Sequence, residues 1–295
     1  MHNPSGLSFA GALQVKRGDI VSFVGGGGKT TSLFGLAAEL SAAGMRVITT
    51  TTTHISKDQA GFAPASVSVD DLASLSAKLD AHGQCLIIGA PDGKGRVFGA
   101  TSDLIAALKA RPDVDVILVE ADGSRSLPFK APGHHEPVVP ETTTILVPIA
   151  GLNALGVPLD ESHVHRADIA ARLAQAPLGS PVTTDLMARV LSHPEGGAKG
   201  LPEGARLVPL LNKADTEELA RQGNELAEKL MAHGRVDAVL VSCLLRNPPI
   251  LQAWTRVGGM IHAAGQAARF GAVDPVPHAE RAPAMRPDLS ARQEG

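Results

Sequence analysis

Short apolar runs rich in Val and Ile alternate along the chain with stretches whose apolar residues recur at helical spacing. "DIVSFVG" (Asp19–Gly25) reads as a buried strand. "KTTSLFGLAAELSAAG" (Lys29–Gly44) follows as a helix, with Leu33, Leu36, Ala37 and Leu40 on one face and Gly44 as its stop. "MRVITT", "QCLIIGA", "DVDVILVEADG", "TTTILVPIA", "ARLVPLLNKAD" and "VDAVLVSC" repeat the strand signature. Helices are expected over Asp70–Gly83, capped by its acidic pair, and over Thr101–Ala110. Further helices are expected near Arg166–Ala176, Thr183–His193, Asp215–His233 and Pro249–Ala268. Continuous apolar strands separated by helices predict an α/β fold: a mostly parallel sheet with helices on both faces, of P-loop NTPase type. Ligands of such sheets bind beyond the carboxyl ends of the strands. Residues 1–271 read as one P-loop nucleotide-binding domain with inserted segments. Residues 272–295, with four prolines, many charges and no period, read as a disordered tail.

Composition narrows the function classes. Net charge is −3, and no basic run favours nucleic acid or an anionic membrane. Aromatics are 3% of the chain, too few for a base-stacking platform. The two cysteines, Cys85 and Cys243, lie far apart and rule out a disulfide framework or zinc ribbon. The longest uncharged stretch, Thr142–Leu159, is broken by prolines and glycines and reads as a strand and loop, so no membrane span is expected. A reducing cytoplasm fits best.

The chemistry begins at "FVGGGGKTT" (Phe23–Thr31). Gly25, Gly26, Gly27 and Gly28 lie between a strand end and a helix start, where backbone N–H groups and the helix dipole attract phosphate. Lys29 adds a point charge for the β/γ-phosphates, Thr30 offers a hydroxyl to Mg²⁺, and Thr31 completes the motif. The standard spacing requires a further glycine at position 23, which is Phe23. The shorter Gly25-x-x-Gly28-Lys29-Thr30-Thr31 resembles the abbreviated phosphate loop of the Mur-ligase ATPases. A flexible turn is the bland alternative; the flanking strand, the Lys-Thr-Thr and the helix weigh against it.

"VILVEADGS" ends an apolar strand in Glu120 and Asp122. Phosphate-loop enzymes keep an acid there for Mg²⁺, and on a strand residues 120 and 122 face one side, so either or both could serve. "LVPLLNKAD" ends in Asn212, Lys213, Ala214 and Asp215, the Asn-Lys-x-Asp pattern that reads guanine. Adenine lacks the donor pair that Asp215 would accept, so GTP is preferred to ATP. The plainer role for Asp215 is a helix cap, with Glu218 three residues on giving a capping-box-like start, and both readings can hold. Thr50–Thr53 in "ITTTTTHIS" could contact a γ-phosphate or simply suit a strand, and the two readings stand level. His54 is read as an ordinary surface residue. His134, His135, His163 and His165 are read as chance neighbours in a chain of 11 histidines, against a dedicated metal site.

Taken in order, "VSFVGGGGKTT", "RVITTTTTHI", "LVEADGSRSLPFKAPGHHEPVVP", "HVHRADIAARL", "PEGGAKGLP" and "LVPLLNKAD" resemble the YqeC family, accessory proteins of selenium-dependent molybdenum hydroxylases. The resemblance spans Val15 to His262. It implies a maturation role, with a molybdenum hydroxylase or its cofactor as partner. The expected activity is an Mg²⁺-dependent NTPase, with Lys29, Glu120 and Asp122 at the reacting phosphate. "GSRSLPFKAPGHHEP" (Gly123–Pro137), with Arg125 and Lys130, would be a mobile segment that senses nucleotide or meets the client. Two alternatives stand beside this: an ATP-dependent kinase or ligase acting on a small anionic molecule, and a non-catalytic nucleotide-dependent scaffold.

Overall fold

The computed structural model describes residues 7–93, 95–257 and 259–265. The chain opens with α1 (Phe9–Leu13), β1 (Ile20–Gly25), α2 (Lys29–Ala42), β2 (Val47–Thr51), β3 (His54–Ser56) and α3 (Lys57–Ala60). Next come β4 (Ser66–Ser68), α4 (Leu75–His82), β5 (Gln84–Ile88), β6 (Arg96–Phe98), α5 (Ser102–Lys109), β7 (Val116–Glu120) and β8 (Phe129–Lys130). The middle holds β9 (Ile145–Gly151), β10 (Val164–His165), α6 (Ala167–Ala174) and α7 (Thr184–Ser192). The last part runs through β11 (Arg206–Leu207), β12 (Leu210–Asn212), α8 (Glu217–Ala232), β13 (Ala238–Ser242), β14 (Ile250–Val257) and β15 (Met260–Gly265).

Eleven strands among the described residues form one sheet, in the order β15-β14-β13-β12-β9-β1-β7-β2-β5-β4, with β11 also paired to β9. Every pairing from β4 to β13 is parallel, as expected. Alternate residues of β1 feed different cores. Ile20 and Val24 pack with α4 to α8, while Val21 and Phe23 pack with α1 and α2. Burial on both faces is why these strands carry unbroken apolar runs instead of alternating ones. β1 lies between β7 and β9, where the chain stops extending the sheet on one side and begins the other. A crevice opens at the carboxyl ends of strands at such a point.

Three expectations are corrected. The described part of the expected Pro249–Ala268 helix, Ile250–Val257 and Met260–Gly265, is an antiparallel hairpin, not a helix. β14 pairs with β13 and β15, and Gly259 takes φ +84° at the turn. Its Ile, Trp, Thr and Val suit a pleated surface, and the Trp254 indole donates to Asn224 on α8 at 3.2 Å. The Asp70–Gly83 helix starts only at Leu75; Asp71 accepts from the Ala73 N–H in a turn before it. α8 is capped by Thr216, whose hydroxyl accepts from the Leu219 N–H, so Asp215 is not the cap. The segment 272–295, read as a tail, lies outside the described residues.

Candidate functional site

β1 delivers the glycine loop to the centre of the sheet's carboxyl edge, and α2 begins at Lys29 directly after it. Gly25, Gly27 and Gly28 hold φ of +93°, +88° and +139°. The neighbours are as restrictive as the backbone. A Cβ on Gly25 would lie 2.3 Å from the Ile149 carbonyl, on Gly26 2.5 Å from that of Leu127, and on Gly27 2.4 Å from the Gly151 nitrogen. On Gly28 it would lie 2.4 Å from the Asn212 amide. Four glycines are needed because the ends of β9 and β12 and the segment before β8 press against the loop from behind. No side chain caps α2, so its first-turn N–H groups and positive dipole end are left to whatever occupies the cleft.

The two carboxylates at the end of β7 take different places. The strand stops at Glu120, and the chain then turns Asp122 behind the loop, where it is 1% exposed. Asp122 accepts from the Gly25 N–H at 3.0 and 3.1 Å and pairs with Lys130 at 2.9 Å and Lys29 at 3.4 Å. The expectation that residues 120 and 122 face one side fails because the strand has ended between them. Lys130 is buried too, bonded to the Gly123 carbonyl at 2.6 Å and to Glu136. It belongs to the framework, which corrects its reading as part of a mobile segment. Burial alone would raise Glu136, but hydrogen bonds and charge from Arg166 and Lys130 outweigh it and hold the carboxyl below its usual range.

In front of the loop, Glu120 Oε2 accepts from the Thr30 hydroxyl at 2.9 Å. Lys29 Nζ donates to the Gly25 carbonyl at 2.7 Å and lies 3.7 Å from Glu120. Burial raises the Glu120 pKa, opposed by the charge of Lys29 and the Thr30 hydrogen bond. A buried carboxylate beside a hydroxyl is a hard-oxygen pair suited to Mg²⁺, and a cation there would relieve that burial cost. Of the two acids, Glu120 lines the cleft with Thr30 and Thr31, and Asp122 sits away from it.

The Asn-Lys-x-Asp stretch is tied to the loop. Asn212 Nδ2 donates to the Gly27 carbonyl at 2.8 Å, and its Oδ1 accepts from Ser242 and Leu244. Lys213 follows in left-handed conformation, φ +65°. Asp215 is exposed, accepts from the Cys243 thiol at 3.0 Å, and lines a pocket of about 360 Å³ with Leu244 and Leu245. Burial, then the Asp215 carboxylate, push the Cys243 thiol up to about 11, so it is unreactive at neutral pH. Gly27, Gly28, Thr31 and Lys213 line both this pocket and the main cleft.

The main cleft, about 810 Å³, has a far wall of which the sequence marked only Arg125, in its basic segment, and left Arg96 and Arg166 unassigned. His54, Gln59 and Phe62 come from the segment after β2, Arg96 from β6, and Arg125, Glu136, His165 and Arg166 from the segments around β8 and β10. His54 stacks on Phe98 at 4.3 Å. His165 is buried on β10, which pairs with β8. Thr50 and Thr51 bond within the sheet, to the Ile87 and Glu120 carbonyls, while Thr52, past the end of β2, donates to the Val138 carbonyl in a loop and Thr53 shares a bond with the Thr51 hydroxyl. Among the described residues, no group of three or more His, Cys, Asp or Glu is placed to hold a metal ion. No helix among them is long and apolar enough to cross a membrane.

A parallel strand, a glycine loop and a helix opened by lysine and threonine, with an acid at the neighbouring strand end, define an α/β protein of P-loop NTPase type. The profile of the family described as YqeC protein matches residues 21–168. The uncharacterized YqeC protein of Escherichia coli (strain K12) is 38% identical over 244 residues, covering 80% of this chain and 91% of that one. The chain therefore belongs to the YqeC family. Two solved structures align loosely. Chloroplast FtsY from Physcomitrella patens has 14% identity and a TM-score of 0.30, over 77% of this chain and 50% of that one. FtsY from Mycoplasma mycoides has 10% identity and a TM-score of 0.27, over 77% and 62%. The chain spans between half and two-thirds of those two structures, and likenesses this loose carry no argument.

Proposed function

We propose that this protein is an Mg²⁺-dependent, GTP-preferring phosphate-loop NTPase. It serves in the cytoplasm as an accessory factor for maturing a selenium-dependent molybdenum hydroxylase. The observation that carries the nucleotide reading is the joining of two motifs by Asn212, whose amide holds the Gly27 carbonyl at 2.8 Å. That bond sets the Asp215 pocket beside the phosphate loop, as one nucleotide bridging both would require.

In this reading, N–H groups from Gly25 to Lys29 receive the phosphates, and Lys29 swings from the Gly25 carbonyl to neutralise charge developing on them. Glu120 and the Thr30 hydroxyl hold Mg²⁺, which when bound offsets charge on the β- and γ-phosphates. Asp122 fixes the loop through the Gly25 N–H and the two lysines. Asp215 accepts from the guanine edge, and the Lys213 stem packs beside the base. The exposure of Asp215, with Thr216 doing the capping, supports base reading over a structural role. The hydroxylase client rests on the family resemblance.

Calorimetry with GTP and ATP, with and without Mg²⁺, on the wild type and Asp215→Asn tests this directly. Tight GTP binding that the substitution weakens is the expected result. ATP preference unmoved by the substitution would remove the guanine reading, and no binding of either nucleotide would remove the whole proposal.

A further inference from the structure

The main cleft is larger than a phosphate tail needs, and its charge is lopsided. Five cations line it, Lys29, Arg96, Arg125, Arg166 and Lys213, against two carboxylates, Glu120 and Glu136. Lys29 and Lys213 belong to the phosphate loop and the base motif. Arg96, Arg125 and Arg166 line the cleft without lining the base pocket, so a nucleotide spanning base pocket and loop does not reach them; Arg96 pairs with Asp92 at 2.7 Å and Arg166 with Glu136. We propose that this far wall, centred on Arg125, His165 and Arg166, binds a second, phosphate-bearing small molecule beside the nucleotide. The inference deepens the nucleotide reading, on which it rests, by naming the substrate class of the same cleft.

One observation beyond the charge points to a ligand. Arg166 Nη1 is buried without a partner, although Nη2 bonds Glu136. His165 lines the same cleft; its ring nitrogens are not among the buried atoms left unsatisfied, so they open to the cleft, where an anion would meet them. The fold makes room for this guanidinium. A Cβ on Gly133 would lie 2.8 Å from its Nε, and Arg166 itself takes φ +60°. Glu136 is shared between Arg166 and the buried Lys130, which Asp122 also offsets, so the positive charge that the wall presents is chiefly that of Arg125. A site with low-dielectric walls and one sign of charge concentrates counter-ions. Arginine forks suit phosphate oxygens, and a dianion answers more of this charge than a carboxylate does.

The test is ³¹P NMR of inorganic phosphate added to the full chain loaded with Mg²⁺ and a non-hydrolysable GTP analogue. The analogue's own resonances report in the same spectrum whether the loop is filled. The expected result is saturable shift or broadening of the phosphate line, weakened roughly tenfold in Arg125→Ala, an exposed position where folding is not at stake. Gly133→Ala, which displaces the Arg166 guanidinium, should do the same. Phosphate that fails to bind the loaded protein, binds Arg125→Ala and Gly133→Ala unchanged, or is displaced equally well by acetate overturns the inference. If the analogue itself does not bind, the nucleotide reading has failed, and phosphate is then titrated into Lys29→Ala. Binding there that a second Arg125→Ala change removes upholds the far wall, and its absence sinks it.

Discussion

The front and back of the phosphate loop are built from the same residue types and do opposite things. Behind it, Asp122 is closed off from solvent, bonded to the Gly25 N–H and paired with two lysines. In front, the Glu120 carboxylate accepts from Thr30, lies 3.7 Å from Lys29 Nζ and faces the cleft. The back is a completed network in which every charge has its partner, so it can hold shape but has nothing left for a ligand. The front keeps a carboxylate that burial makes uncomfortable as an anion, which favours an incoming cation. Two acids two positions apart are thus divided into framework and ligand by where the strand stops.

The sharpest way to break this division is Asp122→Asn. It leaves buried Lys130 and Lys29 short of a counter-charge, and about 3 kcal/mol of stability should be lost, read by urea unfolding. A loss under about 1 kcal/mol would mean the back is not the structural side. Lys29→Ala should next abolish tight nucleotide binding, on the order of a hundredfold by calorimetry, because a charge-assisted contact disappears. Unchanged affinity there would sink the loop's assignment. Glu120→Gln should leave stability within about 1 kcal/mol, since burial already disfavours its charge, while the Mg²⁺ enhancement of nucleotide binding falls roughly tenfold. Equal unfolding penalties for Asp122→Asn and Glu120→Gln would erase the comparison.

The smallest effect is one of pH. Glu136 is held below its ordinary value of 4.5 in the folded chain. The folded state therefore binds fewer protons there than the unfolded one, and this stabilisation is present above pH 4.5 and lost as pH falls through the depressed value. Glu136→Gln should flatten the acid limb of a stability–pH curve below that point and leave its shape above it unaltered. An acid limb identical to wild type would show that the Arg166–Glu136–Lys130 cluster is not held in solution.

The parallel sheet was legible in the sequence because its strands are buried on both faces, and "DIVSFVG" or "VILVE" admit little else. The loop was legible because glycines, lysine and threonine fall together in the chain. The hairpin was not. "ILQAWTRV" places Leu251 and Trp254 at helical spacing, and only the exposed edge of β13 decides that it pairs as a strand. Asp122 was misplaced because a period of two holds only while a strand continues. The far wall was legible only at Arg125, for another reason. Arg96 comes from β6, which pairs with β3, while Arg125, His165 and Arg166 come from segments that meet through the short pairing of β8 with β10 and the loops beside it. No local spacing marks them, and burial of His165 depends on a partner strand 35 residues earlier.

The clasp between Asn212 and the Gly27 carbonyl crosses 185 residues. A ribosome delivers the glycine loop early and its clasp late. A nascent chain halted before β12 carries every residue of the loop, yet nothing stands behind Gly28 to set its course. On the proposed reading, competence for nucleotide is then acquired only once β12 has emerged, and stalled chains of the two lengths should differ in whether they retain it. The loop is the first part of the site to be made and among the last to be finished.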